Sequence, residues 1–211
     1  TPNSSVGFLI DDIDYSGQGG IATLFDVDQV EVFRGPQGSR TGANALAGLI
    51  YIKTKDPTEQ FEGLSEITIG DYGTQNLGIA FGGPTKNEKL KYRLVVRNDY
   101  ADGFRKNIFL NQSDTSKKDE LTIRYKLNWD ISATTDVNFL FSRIDMDDPA
   151  DIWTIDGSLN TLSDRPGMDS QETDSFGIKL LKHFDHFDLQ SFTSITKTDV
   201  IFSYDADWGN P

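Results

Sequence analysis

The chain has no cysteine and only two histidines, His183 and His186, in 211 residues. Disulfide staples and thiolate chemistry are therefore excluded. Two imidazoles with H-x-x-H spacing and no further ligands around them make a poor metal site. Long apolar runs are also missing. Nothing approaches the roughly 18 consecutive apolar residues of a transmembrane helix. Hydrophobic residues make up 36% and the mean hydropathy is -0.44, low for a protein with one dry core. Neither figure excludes a membrane, because a barrel strand alternates lipid-facing and lumen-facing residues and so has a weak hydropathy signal. Positive charge is scarce: 20 Lys and Arg stand against 33 Asp and Glu, for a net charge of -13. That argues against nucleic acid, whose phosphates need a basic face. No charged n-region or apolar h-region marks a signal peptide, and the sequence is expected to be a fragment.

What is present divides into two textures. Residues 1–60 read as a small mixed unit. Val6–Ile13 has the pattern of a short strand, and Asp14–Gly20 is a turn-rich loop. Ile21–Phe25 could make one helical turn. Val30–Arg34 reads as a strand with Val30, Val32 and Arg34 on one face and Glu31 and Phe33 on the other. Gly35–Gly42 must be loop. Leu49–Thr54 reads as a further strand, which Pro57 takes out of the sheet because proline cannot donate to a ladder.

Residues 61–211 repeat a simpler unit. In Lys89–Tyr100, Leu90, Tyr92, Leu94 and Val96 share one face, with Lys91, Arg93, Val95, Arg97 and Asp99 on the other. In Glu120–Asp130, Leu121, Ile123, Tyr125, Leu127 and Trp129 oppose Glu120, Thr122, Arg124, Lys126 and Asn128. Both runs exceed the usual soluble strand of about 5–6 residues and match the roughly 9–11 residues of a tilted membrane-barrel strand. Charges on the second face are tolerable only where water or polar groups answer them. Glu62–Asp71, Thr74–Gly82, Asp136–Asp145, Asp174–Phe184 and Phe187–Val200 complete seven expected strands. Their connections alternate between short turns and the long polar segments Phe104–Lys118 and Met146–Thr173, as in outer-membrane barrels. Tyr92, Tyr100, Tyr125 and Trp129 are expected near strand ends, where amphipathic rings suit a membrane interface.

The junction of the two textures carries a motif. Between Val30 and Lys55, the residues Glu31, Val32, Arg34, Gly35, Pro36, Gly38, Gly42, Ala45, Gly48, Ile50, Ile52, Thr54 and Lys55 form a glycine-rich run framed by apolar alternation. It resembles the closing signature of the plug domain of TonB-dependent outer-membrane receptors. Thr41, Ala47 and Tyr51 depart from the residues usual there. The run lacks G-x-x-x-x-G-K-[ST], so it is not a nucleotide-binding loop.

The resemblance implies a mostly β chain: a partial α+β plug domain over 1–60, followed by antiparallel transmembrane β-barrel strands over 61–211, about seven of about 22. It implies a bacterial outer-membrane location in contact with lipid. It also implies a small-molecule ligand such as a ferric siderophore, and energy from the TonB-ExbB-ExbD complex through a segment outside this sequence. By the same resemblance, Arg34 is a candidate ion-pair contact between plug and barrel wall. Tyr15, Ser16 and Gln18, in the loop before the signature, are candidate ligand contacts. No catalytic set, cofactor or metal site is expected. The acidic run Asp145–Asp151 reads as a solvated outer loop, because Ala150 stands where a calcium loop of the EF-hand type needs glycine. Two other readings stay open: a passive barrel channel or surface adhesin, and a soluble carbohydrate-binding β-sandwich.

Overall fold

The computed structural model describes residues 5–18, 23–38, 45–154 and 156–209, which are almost entirely β. Four strands, β1 (Val6–Ile10), β2 (Ile13–Asp14), β3 (Val27–Arg34) and β4 (Gly48–Thr54), form a small mixed sheet in the order β2-β1-β4-β3. β1 runs parallel to β4, while β2 and β3 are antiparallel to their neighbours. The expected strand Val6–Ile13 is split. Asp11 and Asp12 take positive φ of 49° and 71° and turn the chain back on itself. Aspartate is one of the few side chains that enters this region readily, through local hydrogen bonding.

Seven longer strands follow: β5 (Glu62–Ile69), β6 (Gln75–Pro84), β7 (Leu90–Ala101), β9 (Lys118–Ser132), β10 (Thr135–Pro149), β12 (Met168–His183) and β13 (Asp188–Ser203). They form one antiparallel meander in the order β13-β12-β10-β9-β7-β6-β5. All seven expected strands are present, and several run further than the alternation indicated. β10 continues through Asp145–Pro149 and β12 begins at Met168, so most of the acidic run is strand and not free loop. Turns at 85–89, 133–134 and 184–187 make one rim. The segments 70–74, 102–117 and 150–167 make the other, where β8 (Lys106–Asn107) and β11 (Asn160–Thr161) pair in parallel.

The large sheet has two unlike faces. On the outer face a continuous row crosses six strands: Phe81, Leu94, Tyr125, Phe141, Phe176 and Ile195. The next row holds Tyr92, Leu127, Phe139 and Ile178. Phe141, Phe176 and Ile178 remain 38–42% exposed although apolar. Such a broad apolar surface calls for an apolar surrounding. Tyr125 lies mid-strand within this band, not near a strand end as its sequence position suggested. Toward the long-loop rim the outer rows turn charged, with Arg143 bound to Asp174 at 3.1 Å. The inner face carries Arg93, Arg97, Arg124, Lys126 and Lys179. Against it lies the small sheet, through a core of Ile10, Ile13, Tyr15 and Ile52 on one side and Ile144 and Met146 on the other.

Candidate functional site

The interface between the two sheets concentrates the chain's buried charge. Its centre is the dipeptide Phe25-Asp26, which enters β3 through a turn in which Asp26 has φ 57°. The Asp26 carboxylate accepts two hydrogen bonds from Arg93 of β7, from Nε at 2.7 Å and Nη2 at 2.5 Å. The two side chains are 0% and 3% exposed. A bidentate fork of this kind fixes orientation as well as charge. The Phe25 carbonyl accepts from Nη2 of buried Arg124 on β9. The Phe25 ring packs with Ala80 and Val95 and lies 5.4 Å beneath the Arg97 guanidinium. It also rests on Gly78: a Cβ built there would stand 2.7 Å from the ring. Six strand residues thus grip two residues of the small unit.

A second cluster lies beside it. Lys126 Nζ donates to Asp11, Asp56 and the Thr54 carbonyl, each at 3.0 Å. Asp11 also accepts from the Thr54 amide at 2.9 Å and hydroxyl at 2.6 Å, tying the β1–β2 turn to the end of β4. Lys179 donates to Asp12 at 3.0 Å, and Asp12 accepts from the Tyr51 hydroxyl at 3.2 Å. Burial and the nearby Asp12 hold the Tyr51 phenol well above its ordinary pKa, so it stays a donor. For Asp56, burial pulls the other way, but the Lys126 and then the Lys53 ammonium outweigh it and keep its pKa below the usual carboxylate value.

Every ion pair that joins the two sheets among the described residues has the same polarity. Carboxylates come from residues 11–59 and cations from β7, β9 and β12. The sequence reading expected the opposite sense, with Arg34 reaching a wall carboxylate. Arg34 is exposed at the end of β3 and pairs with no carboxylate among the described residues. It shares a face with Val30 and Val32, which are 47% and 67% exposed. That face is the one whose β4 neighbours, Ile50 and Ile52, pack on the large sheet. β3 therefore extends the docking face past the described strands.

The signature run is compactly held. Gly35 has φ 86°, and the Gly35 and Gln37 amides donate to Ala47 and Ala45 at 3.1 and 2.8 Å. Gly48 sits where an added Cβ would meet the Phe33 carbonyl at 2.7 Å, which accounts for a glycine there. Glu31 accepts from Gln29 at 2.8 Å and lines a cavity of about 370 Å³ with Asp12 and Tyr51. Pro36 is exposed and Gly38 half-buried. Gly42, and Ile21 and Ala22 of the expected helical turn Ile21–Phe25, lie outside the described residues; Thr23, Leu24 and Phe25 are described and form no helix.

The three residues expected to touch ligand have different placements. Tyr15 is 1% exposed in the inter-sheet core, its hydroxyl toward Ser175 and Ser142, so it contacts the large sheet and not the open space above. Ser16 Oγ accepts from the Phe8 amide at 2.9 Å and shapes the loop. Gln18 reaches furthest: its Oε1 accepts from Gln171 and Thr198 on β12 and β13, both at 3.2 Å. Asp11, Asp12, Asp26 and Asp56 were not singled out in the sequence. Their signal lay in the partners, the cations on the inner rows of β7 and β9. Among the described residues, no group of three or more His, Asp or Glu side chains is placed to hold a metal ion.

No family model matches the chain. Curated relatives do. The chain is 25% identical over 154 residues to a vitamin B12 transporter of Vibrio vulnificus, covering 67% of this chain and 25% of that protein. It is 29% identical over 85 residues to the ferripyoverdine receptor of Pseudomonas aeruginosa, covering 40% and 10%. Among solved structures, the ferric yersiniabactin uptake receptor of Yersinia pestis superposes with a TM-score of 0.84 at 19% identity, over 96% of this chain and 33% of that one. The chain thus spans a quarter to a third of such proteins, which are transport receptors and not enzymes. These relatives are TonB-dependent receptors, and the solved siderophore receptor shares the fold of nearly all of this chain.

Proposed function

We propose that residues 1–60 are the closing part of a receptor plug, that 61–211 are the first seven strands of the barrel wall, and that the whole receptor takes up a scarce nutrient, an iron–siderophore complex, by plug-gated active transport. The observation that carries this reading is a small mixed sheet docked by buried, hydrogen-bonded charge on the polar face of a long-stranded meander whose other face is apolar. A passive channel has no use for such a docked body. The iron chelate is favoured because a ferripyoverdine receptor and a ferric yersiniabactin uptake receptor are among the relatives. The vitamin B12 transporter keeps cobalamin as the competing cargo.

In this reading the apolar outer rows face outer-membrane lipid, and the long-loop rim faces outward. The plug answers the TonB-ExbB-ExbD complex through a segment outside this sequence. Gln18 is the ligand-side contact of its loop, with Tyr15 and Ser16 supporting it. Arg34 docks on wall strands beyond the seven described. A deletion strain grown on ferric siderophores, cobalamin and glycans as sole sources tests the cargo. Loss of growth on one or more ferric siderophores is expected; loss confined to cobalamin or a glycan would reassign it. Arg34→Ala in the full receptor, with unchanged plug stability and unchanged uptake, would remove Arg34 from the docking set.

A further inference from the structure

The two long loops are joined around a buried carboxylate. Asp151 is 2% exposed and pairs with no cation among the described residues. Its Oδ2 accepts from Asn107 Nδ2 at 3.0 Å and Thr161 Oγ1 at 2.7 Å, and its Oδ1 accepts from Ser163 Oγ at 2.8 Å. Asn107 belongs to the loop after β7, the other three to the loop after β10. Asn107 and Thr161 are 0% exposed and Ser163 2%. The Asn107 amide is used completely: it also donates to the Ser163 carbonyl at 2.8 Å and accepts from the Leu110 amide at 2.9 Å. Around this hub the β8–β11 bridge adds Lys106 N to Leu159 O and Ile108 N to Thr161 O, both 3.1 Å, and Arg105 donates to the Ser158 carbonyl at 3.1 Å. The loop after β10 is tied in turn to the segment after β13. Asp164 N donates to Gly209 O at 3.0 Å, and the Trp153 and Tyr204 rings meet edge-on at 5.6 Å.

A carboxylate taken out of water without a cation is kept only by donors that bond its charged form. Here those donors come from both loops. Removing the acceptor would leave one Asn107 amide N–H and two hydroxyls buried and unbonded, a cost each loop would relieve by opening. We propose that the loops after β7 and β10 form a single stapled cap with Asp151 as its hub, so that any ordering or displacement of one is imposed on the other. That the cap closes over cargo rests on the receptor reading above; the stapling itself does not.

The test is amide hydrogen exchange on the full receptor in detergent, with no ligand added, comparing wild type, Asp151→Ala and Asp151→Asn. In Asp151→Ala, exchange over 105–112 and over 158–164 accelerates together, by about tenfold or more, while β9 and β10 keep wild-type protection. Asp151→Asn, which keeps one acceptor oxygen, gives a smaller change in both segments. Acceleration confined to 150–167, or no acceleration, overturns the proposal. Should Asp151→Ala fail to assemble, Thr161→Val and Asn107→Ala are read the same way, and a response limited to the mutated loop again overturns it. Failure of the receptor to import any siderophore would defeat the transport reading and leave these exchange patterns unaltered.

Discussion

Asp26→Ala should loosen the small sheet from the large one far more than any other single truncation at the interface. Asp26 and Arg93 are buried together, and Arg93 Nη1 already lacks a partner. Deleting the carboxylate strands a guanidinium in a site that water does not reach. Arg124 and Arg97 crowd the same dipeptide, one on the Phe25 carbonyl and one over its ring. Breaking one side of a buried pair costs about 3–5 kcal/mol. At about 1.4 kcal/mol per decade, the undocking equilibrium shifts by roughly two to three and a half orders of magnitude. Exchange of the Lys55 amide, which bonds the Asp26 carbonyl at 3.2 Å within the small unit, follows the loosening of the docked Asp26 turn in the full receptor. The control is Asp26→Leu combined with Arg93→Met, which removes both charges and keeps apolar volume. It should recover most of the loss, since a well-packed apolar pair often matches a buried ion pair. Wild-type protection in Asp26→Ala, or a double variant as labile as the single one, would refute the reasoning.

Gly78→Ala should displace the Phe25 ring and cost about 1–3 kcal/mol of docking by the same exchange measurement, as overpacking does; an unchanged Lys55 amide would contradict it. The pH dependence of docking should carry a contribution from Asp56. Its pKa is lowered in the folded state, so its stabilisation is complete above the ordinary carboxylate range and lost as pH falls through its own depressed value. The Asp56 side chain is 51% exposed, which screens the effect to well under about 1 kcal/mol. Asp56→Asn should flatten the acid limb of the docking curve, and superimposable curves would contradict the assignment.

The strands of the wall were legible because their alternation is strict and reports the two faces at once. Inner and outer rows of β7 and β9 fall where period two puts them. Strand ends were less legible. β10 and β12 continue past their apolar rows into charged residues such as Asp147 and Glu172, which sequence patterning reads as loop. The interface was half legible. Cations on an inner face announced that something must answer them, but which carboxylates do so depends on turns. Asp11, Asp12 and Asp26 reach their partners from left-handed backbone that no periodicity reveals. Tyr15 misled for a related reason: a loop residue between polar neighbours looked exposed, yet the turn at Asp11-Asp12 folds it beneath the sheet.

The central claim is that the large sheet is a membrane wall, apolar side outward, with the small sheet on its polar side. This stretch has no cysteine, so single cysteines at Phe139 and Ile178 on the outer rows, Ser142 and Thr173 on the inner rows, and Ser113 in a long loop can each carry a nitroxide. In liposomes, labels at Phe139 and Ile178 should be relaxed by lipid-dissolved oxygen and shielded from a water-soluble nickel chelate, with Ser113 showing the reverse. Labels at Phe139 and Ile178 that meet the chelate as readily as Ser113 does would contradict the account.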